Sequence, residues 1–254
     1  MRKKNEVELK EELEDKLIAI GDVHGLTQWR KVVVAHPAAS RYVFLGDYCD
    51  PYDSAITDEK VIDNFKDIIN FKKKHPERVV LLLGNHDMHY IMPKQTKGSR
   101  FNVSLAMMLQ DLFESNKQLF QLAYACNHLL FTHAGVLRSW FENWGGKLTE
   151  SVVDQLNERK EDPALLDCGF LRGGLADYGG PFWADKDEFC VEELLPGYVQ
   201  IVGHNRVASI QVVGESIAVT GFIVFCDSLH RDHFLVVNSP FSDDPDFYED
   251  NLKK

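Results

Sequence analysis

The sequence predicts an α/β chain whose first half alternates strands and helices. Short apolar runs at residues 17–20, 42–45 and 79–83 each end in a small polar motif: Gly21-Asp22-Val23-His24-Gly25, Gly46-Asp47-Tyr48-Cys49-Asp50 and Gly84-Asn85-His86-Asp87. Segments with helical spacing, 27–35 and 57–74, lie between them. Such alternation predicts parallel strands joined by right-handed crossovers. The polar motifs then stand at strand C-termini, the edge of an α/β sheet where ligands bind.

Before the first strand, residues 1–16 read as a charged extension, either a solvated helix or a loose terminus, with no assigned function. Thr57 is placed to cap the helix over 57–74. Apolar residues recur at helical spacing from 102 to 125, which predicts a long helix packing Met107 and Met108. Residues 129–131 form a strand leading into His133. An insertion over 139–166, with Trp140, Trp144 and a helix at 149–159, reads either as a cap over the site or as surface helices covering a sheet edge. Runs at 199–202, 210–213, 217–226 and 234–237 predict antiparallel hairpins that complete a second sheet. The acidic residues 242–254 read as a mobile tail. One domain over 17–241 is expected, since 254 residues with 44% hydrophobic content suffice for a large core.

A formal charge of −11 argues against a nucleic-acid surface, which needs clustered Lys and Arg. Five irregularly spaced Cys point to reduced thiols rather than a disulfide framework. No apolar run has the ~18 residues of a membrane span, and residues 1–15 are too charged for a signal peptide. A cytoplasmic protein is expected, with no membrane or nucleic-acid partner; nothing in the sequence fixes its oligomeric state.

The motifs offer carboxylate, imidazole and amide oxygen together. That mixture suits manganese, iron or zinc, whereas structural zinc would need thiolates and magnesium mainly carboxylates and water. Asp22 and His24, one residue apart, can grip a single ion. Asp47 can bridge to a second ion held by Asn85, His133 and His204 of Gly203-His204-Asn205. Two ions roughly 3.5 to 4 Å apart can activate a shared hydroxide and clamp a phosphoryl oxygen. His86 remains to protonate a leaving alkoxide, with Asp50 holding its ring and raising its pKa.

Asp-x-His, Gly-Asp-x-x-Asp, Gly-Asn-His-Asp, His-Ala-Gly and Gly-His, in this order over residues 17–238, resemble the calcineurin-like metallophosphoesterase superfamily. The resemblance implies two mixed sheets packed face to face with helices outside. It also implies two metal ions, one on Asp22, His24 and Asp47 and the other on Asp47, Asn85, His133 and His204, with His86 and Asp50 as the acid pair. Arg206 stands where nucleases and cyclic-nucleotide phosphodiesterases of the superfamily carry a second His. That departure is closer to the phosphoprotein phosphatase branch. The branch continues its second motif Asp-Arg-Gly, using the Arg on substrate phosphate, but here Pro51 and Tyr52 follow Asp50. Residues 171–174 and 179–185 resemble a segment of bacterial phosphatase-like members, which makes Arg172 the first candidate replacement clamp. Arg206 and Arg100 come second.

The expected activity is metal-dependent hydrolysis of a phosphomonoester, from a small molecule or a phosphoprotein, by direct attack of a bridging hydroxide. An alternative is dinucleoside polyphosphate hydrolysis, with an adenine slot built from Trp140, Trp144 or Phe182. A non-catalytic scaffold would be expected to lose metal donors, and every donor is present. His89, three residues past His86, is a weaker candidate for substrate contact, and Cys49 is expected to pack.

Overall fold

A computed structural model describes residues 13–92, 99–217, 219–243 and 245–252. Residues 1–12 of the charged extension lie outside them. Strand β1 (Glu14–Ile20), helix α1 (Gln28–Ala35), strand β2 (Ala39–Phe44), helix α2 (Asp58–Lys74) and strand β3 (Val79–Leu82) follow the expected alternation. The three strands pair in parallel. On α2, the Thr57 hydroxyl accepts from the Lys60 amide at 3.4 Å. Asp58 and Glu59 fill its first turn and Lys72, Lys73 and Lys74 its last, matching the helix dipole. Val61, Phe65, Ile68 and Ile69 form its buried face.

Helix α3 (Asn85–Ile91) starts immediately after β3, and α4 (Ala106–Ser115) follows it. Short strands β4 (Phe120–Gln121) and β5 (Tyr124–Cys126) lead to β6 (Leu129–Thr132). After helices α5 (Arg138–Asn143) and α6 (Val152–Glu158) come β7 (Val199–Arg206), β8 (Gln211–Ser216), β9 (Gly221–Asp227), β10 (His233–Asn238) and β11 (Asp246–Asn251). One sheet has the order β11-β10-β1-β2-β3-β4, the other β5-β6-β7-β9-β8.

Side-chain alternation sorts each central strand between two cores. Leu17, Ala19, Val43 and Leu45 face Phe131, Ile201, Val224 and Cys226 in a layer between the sheets. On the outer side of the first sheet, Ile18, Ile20, Tyr42 and Phe44 pack with residues of α1, α2 and α4. On that of the second, Leu130, Val202, Ile223 and Phe225 pack with residues of α5 and α6. The result is the expected four-layer α-β-β-α architecture, with both sheets mixed.

Several elements differ from the sequence reading. The helix expected over 102–125 is confined to α4: the Asn116 side-chain Nδ2 donates back to Leu112 O at 2.7 Å, and Tyr124 to Cys126 pair with β6 instead. Met107 and Met108 are exposed, at 81% and 49%, because α4 buries Leu109 and Phe113. Among the later strands only β8 and β9 form an antiparallel pair in the second sheet, where β7 runs parallel to both β6 and β9. Strand β10 crosses to the first sheet, antiparallel to β1. Nor does a mobile tail describe residues 246–251, which pair with β10 along six positions as β11. Acidic residues there sit on an edge strand, where charge opposes further strand pairing. Over residues 139–166 the helix begins at Val152 after a Ser151 cap. Trp140, Phe141, Val152, Leu156 and Leu165 pack into the second sheet's outer core, so the segment is a covering layer.

Candidate metal centre and active site

The donors converge where loops from the two sheets meet. Asp22 and His24 follow β1, Asp47 and Asp50 follow β2, and Asn85 and His86 open α3 directly after β3. His133 follows β6, and His204 lies within β7. Reaching one point distorts the chain: His24, Asp47, Asp50 and His204 adopt φ of 42°, 53°, 58° and 58°. Left-handed backbone at non-glycine residues costs energy and clusters at functional sites. Two glycines permit the close approach. A Cβ on Gly84 would lie 2.1 Å from Asp47 Oδ1, and one on Gly203 would lie 2.3 Å from Asp22 Oδ1.

Asp47 Oδ2 stands between two groups of donors. His24 Nε2 lies 3.4 Å away and is itself 3.8 Å from Asp22 Oδ2. On the other side His133 Nε2 lies 3.6 Å from Asp47 Oδ2. Asn85 Oδ1 is 2.8 Å from His133 Nε2 and 3.0 Å from His204 Nδ1, and those two nitrogens are 3.2 Å apart. Donor atoms about 3 to 3.5 Å apart are what metal–ligand bonds near 2.1 Å require. His24 Nδ1 faces the Cys49 and Asp50 carbonyls at 2.9 and 3.0 Å, and His133 Nδ1 faces the Leu45 carbonyl at 2.7 Å. A carbonyl only accepts, so the proton sits on Nδ1 and the Nε2 lone pair faces the group.

The charges also fit a cation. Burial pushes His24 down to about 4, lowers His133 and lowers His204 strongly, so all three rings are neutral donors at neutral pH. Burial opposes the charge of Asp47, but the surrounding histidines outweigh it and hold the carboxyl below its usual range. Asp22 is pushed well up by burial and then by Asp227 and Asp47. His204 Nε2 is buried without a hydrogen-bond partner. Crowded carboxylates, neutral imidazoles and an amide oxygen are hard and borderline donors suited to two divalent ions.

Comparison with known families matches the calcineurin-like phosphoesterase profile over residues 16–204, most of the chain and every donor group. The chain belongs to the calcineurin-like phosphoesterase family. The family implies two divalent ions, and His24 with Asp47 and His86, Asp50 with His86 and His89, and Asp22 with Asp47 and His133 form groups that could hold them. No curated protein sequence matches. Among solved structures, a cold-active protein-tyrosine phosphatase of a psychrophilic Shewanella species is similar at 15% identity, with a TM-score of 0.58 over 92% of this chain and 80% of that one. Another structure of a cold-active protein tyrosine phosphatase gives 16% identity and 0.56 over 92% and 78%. A protein serine/threonine phosphatase from Saccharomyces cerevisiae gives 18% and 0.48 over 96% and 82%. The first two likenesses establish a shared fold.

Beside its donors this phosphoesterase carries the expected histidine–carboxylate pair. His86 Nδ1 lies 2.9 Å from Asp50 Oδ2. Burial works against protonation of His86, yet Asp47, Asp50 and Asp87 outweigh it and raise its pKa. The sequence left Asp87 and Tyr90 without a role and offered His89 for substrate contact. Asp87, fully buried, accepts amide hydrogen bonds from Gly84, Asp47 and Tyr48 at 2.8, 2.9 and 3.0 Å, tying the third motif to the second. Tyr90 donates to Asp50 Oδ1 and accepts from the Asn102 amide at 3.1 Å. His89 is sealed at 0% exposure, with Nδ1 3.7 Å from Asp50 Oδ2, so it supports Asp50 and does not reach substrate. Spacing gave a signal for Tyr90: like His86 it sits on α3, one helical turn further on.

The three arginines of the phosphoesterase are held differently. Arg172 is half-buried, with Nε 2.6 Å from Asp185 Oδ2 and Nη2 donating to Asn205 Oδ1. Its charge depresses His133 and His204. Arg100 and Arg206 lie against the Tyr52 ring instead. Tyr52 borders the donors, for burial and then the charges of Asp22 and Asp47 raise its hydroxyl pKa. Trp183 meets His204 edge-on at 5.8 Å and forms one wall. The adenine slot suggested for Trp140, Trp144 and Phe182 does not exist: Trp140 and Phe182 are core residues, and Trp144 is stacked on Trp140 and covered by Arg159. Cys49 is buried, as expected. Among the described residues no helix is long and apolar enough to cross a membrane.

Proposed function

We propose that this protein is a dinuclear metal-dependent phosphomonoesterase of the phosphoprotein phosphatase type, acting on a phosphorylated small molecule or phosphoprotein. The observation that carries this reading is the position of Asp47 Oδ2 between His24 Nε2 and His133 Nε2, at 3.4 and 3.6 Å, beside the His86–Asp50 pair. Asp22, His24 and Asp47 would hold one ion, and Asp47, Asn85, His133 and His204 the other, with manganese, iron or zinc fitting the mixed donor set. Ions bound there supply an activated water and positive charge against the phosphoryl oxygens.

The chain's own residues supply the rest. Asp50 orients His86 through Nδ1, leaving Nε2 to donate a proton to the leaving oxygen. Arg172, fixed by Asp185 and Asn205, holds a phosphoryl oxygen on the side of His133 and His204. No phosphoenzyme is expected. The absence of a second His at position 206, where Arg206 stands, favours the phosphatase branch over nucleases.

Metal analysis of the purified protein, paired with a phosphomonoester assay before and after chelation, tests this. About two transition-metal ions per chain and activity restored by added manganese are expected. Activity that persists after thorough metal removal rules the reading out.

A further inference from the structure

Tyr52 organises a second basic feature beside His24. The two rings meet with centroids 4.7 Å apart at an interplanar angle of 88°. Two guanidinium groups, one from a loop and one from the end of β7, share the Tyr52 ring, the Arg100 carbon 3.9 Å and the Arg206 carbon 4.5 Å from its centroid. Two cations held against one ring repel each other. Contact with an aromatic face offsets part of that repulsion and leaves the N–H edges open to an anion. The arginine–carboxylate pairs among the described residues belong to Arg30, Arg138, Arg159 and Arg172, and neither Arg100 nor Arg206 is among them. In a chain of net charge −11, two arginines next to a donor cluster and outside these ion pairs stand out, although the charge of Arg206 also acts on the buried Asp227.

Both side chains come from anchored backbone. Phe101 stacks on Tyr90 at 5.2 Å, the Asn102 amide nitrogen donates to the Tyr90 hydroxyl, and the Asn102 side chain donates to Asp58 at 2.8 Å. Arg100 itself takes φ 67°, a left-handed turn that needs such support. Arg206 ends β7, where it pairs with Asp227 of β9.

We propose that Arg100, Arg206 and Tyr52 form a subsite for a second phosphate group, carried by the substrate beside the phosphoryl that reacts. This rests on the phosphoesterase reading above. Arg172 already serves the His133 and His204 side, so the pair of charges next to His24 is matched by a further dianion rather than by the same phosphoryl. The substrate class is a bisphosphorylated molecule, either a small one or a peptide with neighbouring phosphorylated residues.

Two arms test this on the metal-loaded, full-length protein. In the first, calorimetry compares an alkyl diphosphonate with the matching monophosphonate, neither of which can be hydrolysed. The wild type should bind the diphosphonate at least about tenfold more tightly, and Arg100→Ala, Arg206→Ala and Tyr52→Leu should bring the two affinities together. Tyr52→Phe, which keeps the ring, should retain the preference. In the second arm, kcat/KM is compared for a sugar bisphosphate against its monophosphate and for a doubly against a singly phosphorylated peptide. A ratio above about ten in either pair, carried by KM, supports the subsite and identifies the source. Equal diphosphonate and monophosphonate affinities in the wild type, or variants that weaken both ligands equally, overturn it. Loss of all turnover with the diphosphonate preference intact would instead count against the function proposed above and leave the subsite standing.

Discussion

Asp22, Asp47, Asn85 and His133 at the floor of the cleft are sealed from solvent, at 3, 1, 2 and 1% exposure, whereas Tyr52 at its rim is 44% exposed. The floor is built from short motifs at strand ends, fixed by backbone carbonyls on imidazole Nδ1 atoms and by glycines that admit carboxylates at close range. The rim is built from side chains far apart in the chain, one on a loop and one at the end of β7, that meet on one aromatic ring. In the function proposed above, floor residues act on metal and water, so changing one should remove function wholesale. Rim residues act on substrate, so changing one should alter what is accepted.

The largest effect should come from Asp47→Asn at the centre of the floor. One oxygen of Asp47 serves both donor groups, so its loss weakens two sites at once. Activity should fall on the order of a thousandfold or more, about 4 kcal/mol. Metal content should drop for both ions, whereas Asp22→Asn should chiefly lower one. Plasma spectrometry on the purified variants checks this, and wild-type metal content in Asp47→Asn would show that the carboxylate is not shared.

Next comes His86→Asn, at the residue proposed for proton donation and not for metal binding. Metal should remain while turnover falls by roughly 10² to 10⁴, the usual contribution of a general acid. Alkyl phosphates should suffer most and aryl phosphates, whose leaving groups need less protonation, least. A uniform loss across leaving groups would remove His86 from the proton-transfer step.

Arg172→Ala stands between floor and rim, because Asp185 and Asn205 fix its side chain near His133 and His204. A charge-assisted contact of this kind is worth on the order of 2 to 4 kcal/mol in the transition state. A fall in kcat/KM of less than about tenfold, near 1.4 kcal/mol, would mean that Arg172 braces the loop against Asn205 and does not hold substrate. Metal content is the control.

The same contrast explains what the sequence disclosed. Each residue proposed as a floor donor could be picked out beforehand as a candidate, because each sits within a few residues of an apolar strand, and donor type and order carry the chemistry. Strands β1 to β3 and helices α1 and α2 were legible for the same local reason. Strand β10 was not: its apolar run resembles those of β7 and β9, and only the two-core sorting of Phe234 and Val236 from Leu235 and Val237 assigns it to the first sheet. Strand β11 was hidden by acidic composition, which reads as a tail until an edge position accounts for it. Helical spacing over 102–125 was real for only one stretch, since strand pairing with β6 outweighed local propensity beyond Asn116. For the arginines, the resemblance of residues 171–174 and 179–185 ranked Arg172 first, but the sequence could not show Asp185 beside it or Tyr52 beneath the other two. Contacts between residues this far apart in the chain leave no spacing to read.

The smallest effect should come from Tyr90→Phe, which joins floor to rim. Its hydroxyl donates to Asp50 Oδ1 and accepts from the Asn102 amide, so one group holds both the partner of His86 and the loop that carries Arg100. Asp50 keeps His86, and burial of its carboxylate is opposed by the hydrogen bonds of His86, His89 and Tyr90 together. Removing one of three donors leaves the carboxylate partnered, so the loss should be near that of a single hydrogen bond, about 0.5 to 1.5 kcal/mol, or roughly two- to tenfold in kcat. The ring stays, and with it the stack on Phe101 at 5.2 Å, so thermal stability should change little. If Tyr90 acts through Asp50, the residual activity should show the same steeper dependence on leaving group as His86→Asn, only weaker. If it acts through the Asn102 loop, KM for a bisphosphorylated substrate should rise with leaving-group dependence unchanged. Assaying one aryl and one alkyl phosphate beside one bisphosphate separates the two, and no change in any of the three would show that Asp50 is adequately held by its histidines alone.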